Sequence, residues 1–231
     1  MKTIGLIGGM SWESTAQYYA ALNSGVRESM GGLHSAKIIL NSLDFAPIEA
    51  LQAQGDWDSM GRLLAEAGQR VEAAGADMLL ICTNTMHKVA DQVQGAVEIP
   101  LIHIADATAE VLVGNSVKTV GLLGTAYTME QDFYKKRLIE RHGLDVIIPE
   151  KPDRGKVHDI IYNELCLGQV EAGSRKTYLE IADKLASEGA QGIILGCTEI
   201  GMLLRPSDTD IPLYDTTLIH AQSAVNRACE P

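Results

Sequence analysis

The 231-residue sequence predicts an α/β protein built as two pseudo-symmetric halves, each a small parallel sheet flanked by helices. Three observations carry that prediction. Apolar runs alternate with helix-like stretches along the whole chain, segments of the first half recur in the second at nearly constant offset, and small polar residues follow strands at matched positions.

Ile4–Ile7, Ala36–Leu40, Met78–Ile81, Leu101–Ile104, Val120–Leu123, Val146–Ile148, Ile193–Leu195 and Pro212–Tyr214 are short apolar runs. They read as strands buried on both faces of a parallel sheet. Between them, Ser14–Met30, Asp58–Ala74, Met129–His142 and Ser174–Glu188 read as helices. The alternation is that of βαβ units.

The internal similarity decides the organisation. Thr3-Ile4-Gly5-Leu6-Ile7-Gly8 matches Thr119-Val120-Gly121-Leu122-Leu123-Gly124 at an offset of 116. Gly75-Ala76-Asp77-Met78-Leu79-Leu80-Ile81 matches Gly189-Ala190-Gln191-Gly192-Ile193-Ile194-Leu195 at 114, and Ile99-Pro100-Leu101 matches Ile211-Pro212-Leu213 at 112. Any two βαβ segments look alike, so one match would decide nothing; three in the same order indicate duplication. The period is far too long for a solenoid. The expected organisation is two Rossmann-like α/β domains, residues 1–104 plus 216–231 and residues 105–215. Ligands of open α/β sheets bind outside the strand C-terminal ends, so the active site is expected in the cleft between the halves.

Composition narrows the functional classes. Hydrophobic residues at 46% and charged residues at 21% are ordinary for a globular chain of a length able to bury a core. No run is long and apolar enough for a transmembrane helix. The start, MKTIGLIGGMSWE, is interrupted by paired glycines and Glu13, so it reads as a strand and turn rather than a signal peptide, and the cytoplasm is the expected location. Cys82, Cys166, Cys197 and Cys229 form neither a CxxC pair nor a zinc pattern, and His34, His103, His142, His158 and His220 show no metal-ligand spacing, so no metal is expected. A cytosolic chain of this kind is not expected to form disulfides. The formal net charge of −11 argues against nucleic acid as a partner. Gly5-x-x-Gly8-Gly9 lacks the G-x-G-x-x-G spacing of a dinucleotide site, and Asp44 lends it little support.

The candidate chemistry lies in two strand-to-helix turns. Continued without a gap, the second match aligns Cys82-Thr83-Asn84-Thr85-Met86-His87 with Gly196-Cys197-Thr198-Glu199-Ile200-Gly201. Cys197 therefore falls on Thr83, not on Cys82. A thiol at a helix N-terminus is expected to have a lowered pKa, and the free N–H groups there can hold a substrate carboxylate. Two such turns facing each other would clasp a small carboxylic acid, with a proton removed on one side of a carbon and returned on the other.

The chain resembles the aspartate/glutamate racemase family over its whole length. The resemblance is carried by GLIGGMSWEST at 5–15, CTNTMHKV at 82–89, LLGTAYTM at 122–129 and GCTEIG at 196–201. It points to the branch of L-aspartate/glutamate-specific, or broad-specificity, amino-acid racemases. The resemblance implies a small amino-acid substrate, a homodimer, and a two-base mechanism without pyridoxal phosphate or any other cofactor. One cysteine from each half flanks the α-carbon, and the role of acting on the L-enantiomer carries over to Cys197.

This sequence departs from the family where the first cysteine should stand, since Thr83 precedes Asn84-Thr85. Neighbouring strand side chains point to opposite faces, so Cys82 does not substitute for the missing thiol. A hydroxyl donates a proton more readily than it accepts one. The expectation is that Cys197 abstracts the α-proton of an L-amino acid and that Thr83, or a water it positions, reprotonates the opposite face, favouring the L-to-D direction. Asn84, Thr85 and Thr198 resemble the family's carboxylate and amino-group binders. Thr125 closes the first strand of the second half at the place equivalent to Gly9 and is expected to contact the substrate from that side, Met10 and Ser11 follow the Gly8-Gly9 turn and are expected to line the pocket, and Gln52 lies on a segment that in the family reaches the substrate side chain. Glu199 stands where some relatives carry histidine and is placed to tune or orient Cys197. For Thr, Asn and Glu at such positions, ordinary helix capping is the competing reading. His87, one turn into the helix after Asn84, is within reach of the pocket but reads first as a helix-stabilising or packing residue, and Cys166 reads as a small apolar residue at a helix end. Two other functions fit the same residues: a single-cysteine decarboxylase of arylmalonate type, and an amino-acid-binding protein whose catalytic pair has decayed.

Overall fold

A computed structural model describes residues 1–230. The chain divides into two compact units, Met1–Ile104 with His220 onward, and Ala105–Ile219. Unit 1 holds a three-stranded parallel sheet of order β2-β1-β3, formed by β1 (Ile4–Gly8), β2 (Ile38–Ser42) and β3 (Met78–Ile81). Unit 2 holds a four-stranded parallel sheet of order β5-β4-β6-β7, formed by β4 (Thr119–Gly124), β5 (Asp145–Ile147), β6 (Ile193–Gly196) and β7 (Leu213–Asp215).

The sequence repeat is a repeat of strand register. Gly5 pairs with Leu79 in unit 1, and Gly121 with Ile193 in unit 2. The offsets of 116 and 114 connect these two pairs. Leu101 bridges Leu79 just as Leu213 pairs with Ile193, which is the third match. Gly75 and Gly189, aligned by the same repeat, have φ of +98° and +108° and turn the chain from helix into strand.

Helices of unit 1 cover both faces of its sheet. α1 (Trp12–Met30) places Tyr18, Leu22 and Val26 in one core with Ile4, Leu6, Met78, Leu80 and Cys82, joined by Ala221, Ala224, Val225 and Ala228 of α11 (Thr216–Cys229). α2 (Phe45–Gln54), α3 (Trp57–Ala73) and α4 (Ala90–Gln94) enclose the other face, where Met60, Leu64, Ala67 and Val71 meet Ile7, Leu79 and Ile81. β1 is buried along its length, whereas β2, at the edge, is partly exposed. Each large aliphatic side chain buried in this way stabilises the unit by roughly 1.5–3 kcal/mol. Asp44 caps α2, accepting the Ala46 N–H, and Asp56 caps α3 through Ser59.

Unit 2 comprises α5 (Ile104–Gly114, its first residue still in unit 1), α6 (Ala126–Glu130), α7 (Asp132–Lys136), α8 (Lys151–Asn163), α9 (Ala172–Ser187), α10 (Ile200–Leu203) and the first residues of α11. α8 and α9 pack on β4, and Tyr178, Ile181, Ala182 and Leu185 of α9 are buried. Among the described residues no helix is long and apolar enough to cross a membrane.

Two sequence expectations are corrected. Leu101–Ile104 is not a strand: Leu101 makes a single bridge, because Ile104 already opens α5. Met129–His142 is not one helix. Gln131 is extended (φ −84°, ψ 152°) and separates α6 from α7, which continues into a π-helical turn over Arg137–Arg141.

Candidate active site

β4 and β6 end side by side, with Gly124 paired to Gly196. A Cβ on Gly124 would lie 2.9 Å from the Gly196 carbonyl oxygen, so glycine is needed for the two strand ends to approach this closely. The next residues are Thr125 and Cys197. Thr125 caps α6, its hydroxyl accepting the Thr128 N–H at 3.3 Å. Cys197 is half-buried, and its Sγ donates to Glu199 Oε2 at 2.9 Å. The Thr198 hydroxyl donates to the same oxygen at 2.8 Å. Glu199 is 3% exposed.

This environment reverses the expectation of a lowered thiol pKa. Burial pushes the Cys197 thiol well up, and the negative charge of Glu199 pushes it further. The helix after Cys197 is a single turn that begins at Ile200, so its dipole is too small to offset desolvation. The resting group is a thiol whose proton already points at a carboxylate. Such a pair can become a thiolate base by passing that proton two residues along the chain. Cys166, on a 3-10 turn over Leu165–Leu167, and Tyr178 are within electrostatic reach of Cys197. Nothing in the sequence pointed to Tyr178, whose hydroxyl donates to the Val157 carbonyl at 2.9 Å.

In unit 1 the corresponding turn follows β3. Cys82 is fully buried between α1 and the sheet, and burial drives its thiol pKa far above the ordinary range. Thr83, Asn84 and Thr85 are buried at the C-terminal edge of the sheet and lead into a 3-10 turn over Thr85–Val89. Met10 follows β1, the strand beside β3, and belongs to the core that includes Ile48 of α2. Gln52 is buried one turn further along α2. The sequence-derived residues thus fall into two groups by unit: Met10, Gln52, Thr83, Asn84 and Thr85 in the first, Thr125, Cys197, Thr198 and Glu199 in the second.

His87 does more than pack. Its Nδ1 lies 2.8 Å from the Thr83 carbonyl oxygen, and its Nε2 is 3.2 Å from the backbone nitrogen of Ile104. Its ring meets His103 edge-on at 4.5 Å and His220 at 5.7 Å. His220 bridges the Tyr18 hydroxyl (2.8 Å) and the Ile102 carbonyl (2.7 Å), and burial pushes its pKa down to about 3. The four-residue spacing from Thr83 to His87 was the only sequence signal of this contact.

Residues 7–224 match the family described as Asp/Glu/hydantoin racemase. The broad specificity amino-acid racemase RacX of Bacillus subtilis (strain 168) is 25% identical over 173 residues, spanning 74% of this chain and 73% of that protein. A Yersinia pestis protein solved as a candidate Asp/Glu racemase is similar with a TM-score of 0.93 at 53% identity, covering 100% of both chains. An aspartate racemase homologue from Pyrococcus horikoshii OT3 gives a TM-score of 0.86 at 35% identity, again over 100% of both chains.

Proposed function

Because this chain belongs to the Asp/Glu/hydantoin racemase family, we propose that it is a cofactor-independent amino-acid racemase acting on aspartate or glutamate, with Cys197 and Thr83 working on opposite faces of the α-carbon. The observation that carries this reading is the 2.9 Å contact from the Cys197 thiol to Glu199. Glu199 takes the thiol proton, and the resulting thiolate takes the α-proton of the L-substrate. The electron pair of the broken C–H bond passes into the substrate carboxylate, which Asn84 and Thr85 are suited to bind by N–H and O–H donors and Thr198 by its backbone N–H, its hydroxyl being given to Glu199. Thr83, or a water it holds, then supplies a proton to the other face and regains one from solvent. Water takes the proton left on Glu199. The reading needs both residues to address one substrate, one from each unit. A homodimer belongs to the same proposal.

The asymmetry of thiol and hydroxyl has a limit set by thermodynamics. Enantiomers have equal free energy in water, so kcat/KM must be the same in both directions. The preference for L-substrate therefore has to appear as a higher kcat with a higher KM, and as faster exchange of the α-proton with solvent. The test is α-proton exchange and inversion of L- and D-aspartate and glutamate in D2O, followed by NMR and chiral chromatography. Exchange from the L-enantiomer and formation of the D-enantiomer are expected, both abolished in Cys197→Ala. Full activity in that variant, or release of carbon dioxide, would overturn the proposal.

A further inference from the structure

We infer that His87 is the positioning residue for Thr83, holding the threonine in the conformation that inversion requires; the inference rests on the racemase reading above. The backbone N–H of His87 bonds to the Asn84 carbonyl at 3.1 Å, as in a 3-10 turn, and it is the imidazole that reaches the Thr83 carbonyl, at 2.8 Å. The partners fix the tautomer. The Ile104 N–H can only donate, so Nε2 accepts, and the ring proton sits on Nδ1, where it donates to Thr83. One neutral imidazole thus ties the carbonyl of Thr83 to the first residue of α5.

The ring itself is immobilised. His87 is 3% exposed, and its ring contacts the rings of both His103 and His220. His220 is fixed in turn by Tyr18 and by the Ile102 carbonyl. Threonine is β-branched and restricted about χ1, so fixing its backbone narrows the directions its hydroxyl can take. The second turn has no such device: position 201, which the repeat aligns with His87, is glycine, and Cys197 relies on the Glu199 carboxylate. The arrangement is specific to the hydroxyl half of the chemistry. A weak acid without an activating partner depends on placement, where misplacement by about 1 Å can cost roughly 10²-fold.

This role makes the two half-reactions separable. With L-substrate in D2O, Cys197 alone can remove the α-proton, exchange it with solvent through Glu199, and return deuterium to the same face. That produces α-deuterated L-substrate without inversion. Formation of the D-enantiomer needs Thr83. His87→Phe fills the space without either hydrogen bond. In His87→Asn the side-chain amide nitrogen can take the place of Nδ1 and donate to Thr83, whereas in His87→Gln the amide can reach only the Nε2 position and accept from Ile104.

The experiment measures exchange and inversion of L-aspartate and L-glutamate for the full-length protein and the three variants, with circular dichroism and thermal unfolding to establish folding. His87→Phe and His87→Gln are expected to raise the ratio of exchange to inversion by on the order of 10²-fold, and His87→Asn to restore most of the inversion. If His87→Phe does not fold, the contrast between Asn and Gln decides. Equal loss of exchange and inversion in Phe or Gln, or an Asn variant no better than Gln, overturns the positioning role while leaving the racemase reading intact. A wild-type protein showing neither exchange nor inversion overturns the racemase reading, and the inference with it.

Discussion

The turns after β3 and β6 are one element met twice, and they hold, in different ways, the two side chains proposed to react. After β6, Cys197 donates to a carboxylate two residues away. After β3, the position aligned with Glu199 is Thr85, and support comes from the His87 imidazole acting on the Thr83 backbone. The position of His87 is taken in unit 2 by Gly201, where any Cβ would collide with the Asp215 carboxylate. The difference follows the chemistry of the two groups. A buried thiol needs a proton acceptor to become a base, since burial alone keeps it protonated. A hydroxyl that gives up its own proton needs no acceptor beside it, and in that role orientation is what its surroundings can supply.

The comparison can be tested hardest at Glu199. Glu199→Gln should lower kcat by roughly 10²- to 10⁴-fold, the range typical of a lost acid–base partner. The same change removes the negative charge that raises the Cys197 thiol. Thiolate absorbance should therefore develop at lower pH in the variant than in the wild type. A slower enzyme with an unmoved or raised thiol titration would show that the carboxylate does not act on the thiol.

Thr83→Cys would make the two turns alike. A thiol in that place ionises more readily than a hydroxyl but has Thr85, not a carboxylate, two residues on, so the gain in kcat for the D-enantiomer should stop at about tenfold. L-substrate exchange, assigned to Cys197 in the proposed mechanism, should change little. If D-substrate turnover stays at the wild-type value, Thr83 does not limit that direction.

The smallest effect separates the units by pH. His220 is neutral when folded, its pKa pushed down to about 3 by burial, against an ordinary value near 6.5. The unfolded chain takes up a proton below pH 6.5 that the folded chain refuses. The stability is therefore complete above that pH and declines as pH falls toward about 3, by up to ~1.4 kcal/mol per pH unit from this one group. Urea midpoints measured between pH 7 and pH 4 should fall more steeply for the wild type than for His220→Gln. Parallel slopes would remove His220 as the cause. His87 lies beside it, so acid weakening of unit 1 should loosen the Thr83 turn before the Cys197 turn.

Much of the architecture was legible because buried parallel strands leave a plain signature. Met78–Ile81 has the bounds read from the sequence, and the three short matches correspond to equivalent pairings of β1 with β3 and of β4 with β6, and to Leu101 and Leu213 beside β3 and β6. Leu101–Ile104 was misread because apolar residues before a helix look the same as apolar residues within a strand. Met129–His142 was misread because the extended conformation of Gln131 leaves no compositional trace. At the turns, the repeat aligns Thr83 with Cys197, and the repeat and strand alternation both turn Cys82 away, which the structure places in the core.

The sequence by itself determined the duplicated α/β plan and the residues at the two turns, since periodicity and pairing depend on local chain order. Only the tertiary structure decided their protonation and support. The pKa of Cys197 follows from the burial that packing imposes and from a carboxylate whose direction no spacing reveals. The part played by His87 depends on Ile104, 17 residues away, and on a ring cage completed by His220, 133 residues away, contacts that exist only once the chain has folded.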